Sequence, residues 1–66
     1  MIGDLLKHEY KSKGYSLIAI ARLSGLSMPV IIGLFKSNPN GTLGDYTRLA
    51  RALDVKIKWV VVPDKE

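Results

Sequence analysis

Ile2, Leu5, Leu6 and Tyr10 recur at helical spacing, while Asp4, Lys7, Lys11 and Lys13 fall on other faces. This pattern predicts an amphipathic helix over residues 2–13, closed by Gly14, with Lys11 and Lys13 at the negative end of its dipole. A second helix over Leu17–Ser24 buries Ile20, Ala21 and either Leu17 or Leu23, and leaves Arg22 to solvent. A third helix follows Ser27. Its inward stripe is Val30, Ile31 and Leu34 or Phe35, and its outward side is Met28, Pro29, Ile32, Gly33 and Lys36, which is unusually apolar. Ser37-Asn38-Pro39-Asn40-Gly41 is a run of turn formers that reverses the chain. Thr42 and Asp45 then fit a capping box ahead of Leu43, Tyr46, Leu49, Ala50 and Leu53, which predicts a fourth helix ending near Asp54.

From Val55 the pattern changes period. Residues 55–62 are β-branched and alternate apolar with Lys at first, so they predict a strand with Ile57, Trp59 and Val61 facing one way, stopped by Pro63 and the charged tail. No other segment reads as a strand, and a lone strand leaves its amides and carbonyls unpaired. The economical arrangement is a homodimer whose two terminal strands pair antiparallel about a two-fold axis through Ile57, Trp59, Val60 and Val61. The alternatives are a strand lying on its own helices with its edges in water, or a short fifth helix. The expected fold class is therefore mainly α, four helices with a C-terminal β-strand, in a single domain of 66 residues.

Residues 16–36 organise the chain. Ser16 and Ser27 are predicted N-caps, and Pro29 falls in the first turn of the helix after Ser27, where a missing N–H costs little. Ala21, Gly25 and Ile31 stand at fixed offsets that suit two helices meeting at a steep angle. A small residue lets the helices approach, a glycine takes positive φ in the turn, and an isoleucine plugs the gap.

Composition excludes more than it assigns. Without cysteine there is no disulfide and no cysteine-ligated zinc, and the lone His8, read as a surface residue, has no partners for a metal site, so no metal and no cofactor are expected. Paired carboxylates, a phosphate-cradling glycine loop and a nucleophile beside His8 are all missing, which makes catalysis the least expected class; Asp45 and Asp54 serve helix ends. No signal peptide and no membrane-length apolar run is recognisable, so a cytoplasmic protein without membrane contact is expected. The formal charge of +4 fits a polyanionic partner and reads as spread along the chain.

Over residues 5–59 the chain resembles the helix-turn-helix family of phage repressors, Cro proteins and Xre-type regulators. The resemblance is carried by Lys13-Gly14, by Ala21, Gly25, Ile31 and Leu34, and by the Leu49-Ala50-Arg51-Ala52-Leu53-Asp54-Val55 ending. It implies a lambda-repressor-like domain whose third helix lies in the major groove of double-stranded DNA, in a homodimeric phage or prophage repressor on a palindromic operator. Ser27, Met28, Pro29, Ile32, Gly33 and Lys36 would then face bases. Lys13, Ser16, Leu17, Arg22, Asn38, Asn40 and Thr42 would face phosphates. Met28, Pro29 and Gly33 depart from the polar residues usual at those positions, and Leu17 stands where the family often has a phosphate-clamping Gln. Reading would accordingly rest on Ser27, Lys36, thymine methyls or DNA shape. The alternative is an antitoxin or adaptor whose apolar third-helix face docks a toxin or phage protein.

Overall fold

The structure, a computed structural model, describes residues 2–38 and 40–63. Pro39 of the expected turn and the charged tail after Pro63 lie outside the described residues. Four helices follow in order: α1 (Ile2–Ser12), α2 (Leu17–Ser24), α3 (Met28–Phe35) and α4 (Leu43–Ala52). The molecule is mainly helical, and α1 packs on α3, α2 on α3 and α4, and α3 on α4.

The core is drawn from all four helices. Leu6, Ile20, Ile31, Leu34, Phe35, Tyr46, Leu49, Ala50, Ala52 and Leu53 are buried, with Tyr10, Leu17, Ala21 and Leu26 packed against them. The Tyr10 and Phe35 rings stand 5.2 Å apart and tie α1 to α3. Gly3 makes that packing possible. A Cβ on it would stand 2.6 Å from Ser37 Oγ and 2.8 Å from the Phe35 carbonyl oxygen, with the Leu34 carbonyl closer still.

Each helix end has a local cause. Ser16, Ser27 and Thr42 adopt extended backbone, and their hydroxyls accept from the amides of Ala19, Val30 and Asp45 respectively. Gly14 and Gly25 take φ of 72° and 75° and stop α1 and α2. The other two helices close without glycine. Ser37 and Asp54 sit at φ 58° and 61°. Asn38 N–H then donates to Gly33 and Ser37 N–H to Leu34, and Val55 N–H to Ala50 and Asp54 N–H to Arg51. These are two complete Schellman closures on residues that tolerate the left-handed region less well than glycine.

Two expectations change, and one choice left open is decided. Val30, expected inward, is 40% exposed, because Ile31, Leu34 and Phe35 together fill the buried stripe of α3 and push Val30 to its edge. Leu17 rather than Leu23 packs inward from α2, Leu23 being 65% exposed. No strand forms among the described residues, where 53–54 are turn and 55–63 carry no regular structure. A strand needs a neighbour to pair with, and the described residues of a single chain offer none. Val55 and Ile57 nevertheless lie half-buried on the core, and Trp59 Nε1 donates to Thr47 Oγ1 at 3.3 Å, so the segment folds back along α4 before running free at Val60–Val62.

Candidate nucleic-acid interface

The stretch from Ser16 to Lys36 forms two short helices bent 102° apart across the turn Gly25-Leu26-Ser27. Among the described residues no single helix is long and apolar enough to cross a membrane. The bend is held by more than Gly25. Gly25 N–H donates to Ala21 O at 3.0 Å, and the buried Ser24 accepts Leu26 N–H at 3.1 Å while its hydroxyl donates to Ala21 O at 3.4 Å. Ser24 is a residue that sequence reasoning passed over, although its place just before the turn glycine was the available signal. Ile31 is fully buried between the helices and half-buried Ala21 lies against the core, as their spacing implied.

Burying Ile31, Leu34 and Phe35 leaves the opposite face of α3 uncovered. Pro29, Ile32 and Lys36, at i, i+3 and i+7, run along its middle, and Met28 and Val30 flank them. Met28 and Ile32 are each 42% exposed. With eight residues α3 is about 12 Å long, and a helix with its side chains, about 10–12 Å across, fits a DNA major groove about 12 Å wide. Arg22 and Lys36 are exposed and make no ion pair among the described residues.

The sequence-derived candidates separate into those that lie open and those that are engaged. Ser16, Ser27 and Thr42 are exposed, each with its hydroxyl on a helix-start amide. Asn40 is exposed too, and its amide donates to Asn38 Oδ1 at 2.9 Å. Gly33 is half-buried instead of outward: a Cβ there would stand 3.3 Å from Asn38 Nδ2. Asn38 is thus tied to the loop through Oδ1 and to the end of α3 through its amide. Leu17 is half-buried against the core. Lys13 has a structural role: its Nζ donates to Leu53 O at 2.7 Å and Asp54 O at 3.3 Å, closing the carbonyl end of α4, with Glu9 3.6 Å away.

The cations are spread along the chain, but the acids are not. Residues 10–44 carry four cations, Lys11, Lys13, Arg22 and Lys36, and no carboxylate, so the whole formal excess of +4 falls there; the six remaining cations are matched by six acids. The acid-free stretch includes all of α2 and α3.

Apolar surface also collects elsewhere. An open groove of about 610 Å³ runs between α1 and the C-terminal segment, lined by Ile2, Leu5, Leu6, Val55, Ile57 and Trp59 among others. Beyond it Val60, Val61 and Val62 are exposed. Comparison of the chain with protein-family models, with curated proteins and with solved structures returns no match.

Proposed function

We propose that this chain is a small helix-turn-helix regulator of the Xre and Cro kind, which inserts α3 into the major groove of double-stranded DNA. One observation carries the reading: the 102° bend between α2 and α3 lies within the range of about 90–120° used by DNA-binding helix pairs, over a three-residue turn that holds glycine. The acid-free, cationic character of residues 10–44 supports it, since a phosphate surface repels carboxylates. The regulator acts as a homodimer joined through residues 55–62, with its two α3 helices about 34 Å apart in successive major grooves of a palindromic operator, and it represses by occluding a promoter.

The test is the salt dependence of binding to a labelled duplex. Lys36→Ala and Arg22→Ala, both on exposed residues, each reduce the slope of log K against log salt by roughly 0.9. Unchanged slopes in both variants reject the α2–α3 face as the DNA surface.

A second reading has one observation in its favour. Met28, Val30 and Ile32 put partly exposed apolar side chains where polar groups would be expected on a base-reading helix. An antitoxin or adaptor would use them against a toxin or phage protein. Ile32→Asp then abolishes a protein complex and leaves weak, sequence-blind DNA binding unaltered.

A further inference from the structure

The exposed face of α3 has an unusual chemistry for a helix facing base edges. From Met28 to Phe35 its side chains contain no hydrogen-bonding nitrogen or oxygen. Polar side chains stand only at its margins, Ser27 with its hydroxyl already accepting Val30 N–H, and Lys36 beyond the last turn. Pressed into a major groove, such a face offers no side-chain partner to the amino groups, carbonyl oxygens and purine N7 atoms of any base pair, so polar contacts from α3 cannot tell one pair from another. The groove offers one apolar feature: the 5-methyl group of thymine, which 5-methylcytosine places at the equivalent position.

Resting on the DNA-binding reading above, we infer that α3 recognises pyrimidine 5-methyl groups, Met28 and Ile32 each covering one. These two side chains are a helical turn apart on one face, about 6 Å. That spans roughly two base steps of about 3.4 Å, so the preferred site has methylated pyrimidines at that separation. The surrounding acid-free stretch supplies the charge complementarity that brings this greasy ridge to a duplex in place of an apolar partner. Orientation comes from phosphates, and selection comes from the methyls.

The experiment compares four synthetic duplexes at one salt concentration: alternating d(A-T), alternating d(A-U), alternating d(G-C), and d(G-C) with every cytosine 5-methylated. Within each pair only the methyl differs. Each buried methyl strengthens binding roughly fourfold, so two contacts give a preference of more than about tenfold for the methylated member of both pairs. Ile32→Ser, a change at an exposed position outside the core, weakens that preference and keeps the salt slope. Equal wild-type affinity within both pairs overturns methyl recognition and leaves DNA binding standing. A preference that survives intact in Ile32→Ser overturns the role given to α3. Failure to bind any duplex at low salt removes both readings together and leaves the ridge to a protein partner.

Discussion

Two glycines show how different the same substitution can be at neighbouring scales of constraint. Gly3 is helical, and alanine there would gain about 1 kcal/mol in helix propensity. Its added methyl, however, would meet two backbone carbonyls of α3, which cannot turn aside as a side chain would, so α1 must lift away from Phe35. Overpacking of this kind costs about 1–3 kcal/mol and outweighs propensity; Gly3→Ala therefore melts lower than wild type, and an equal or higher melting temperature would contradict the α1–α3 approach. Gly25 is the converse. Open space surrounds it, so only its φ of 75° resists a side chain. Gly25→Val is expected to lose about 1–2 kcal/mol in a denaturation curve, and Gly25→Asn less, because asparagine visits the left-handed region more readily. Gly25 could be recognised in the sequence from its neighbours at short range. Gly3 could not, because its constraint comes from Leu34, Phe35 and Ser37, more than thirty positions along the chain.

Helix ends were legible wherever the closing chemistry was local, and α2 keeps the bounds that Ser16 and Gly25 implied. α4 likewise closes at Asp54, where its end was expected, whereas α3 closes at Ser37, a residue type that does not advertise a left-handed closure. Asp54 is exposed and its backbone bonds leave nothing for its Cβ to do, so Asp54→Gly should raise stability by about 0.5–1 kcal/mol, read as a shift in the denaturant midpoint. Lys13 belongs to the same closure. The resemblance to repressors assigned it to a phosphate, yet its ammonium lies on the carbonyls of Leu53 and Asp54. Lys13→Met is thus expected to cost about 1 kcal/mol of stability while leaving the salt slope of DNA binding where it was, the opposite of Lys36→Ala. A Lys13→Met protein that kept its stability and lost slope would restore the phosphate assignment. The outward face of α3 was mostly readable from periodicity. Val30 and Gly33 were not, since both lie at stripe edges: Ile31, Leu34 and Phe35 already fill the buried stripe, and the chain after α3 turns back so that Asn38 lies beside Gly33.

At the scale of the whole molecule, the segment to test is residues 55–62, on which the proposed dimer depends. Residues 55–59 are anchored: Val55 N–H closes α4, Ile57 is half-buried, and the Trp59 indole reaches Thr47. Val60, Val61 and Val62 then leave the body with nothing to cover them, Val61 being 96% exposed. Trp59→Lys would change dimerisation and monomer packing at once, and so could not say which mattered. Val61→Pro separates them. Proline removes the N–H that a paired strand must donate, and at a position so exposed it disturbs no contact of the isolated chain. If two copies join by these segments, sedimentation of Val61→Pro gives the mass of one chain at concentrations where wild type gives two. Its melting temperature should also lose the rise with protein concentration that a dimer shows, while both proteins melt alike at high dilution. Should Val61→Pro remain a dimer, the joint lies elsewhere, and the apolar groove beside α1 becomes the surface to mutate next, beginning with exposed Leu5.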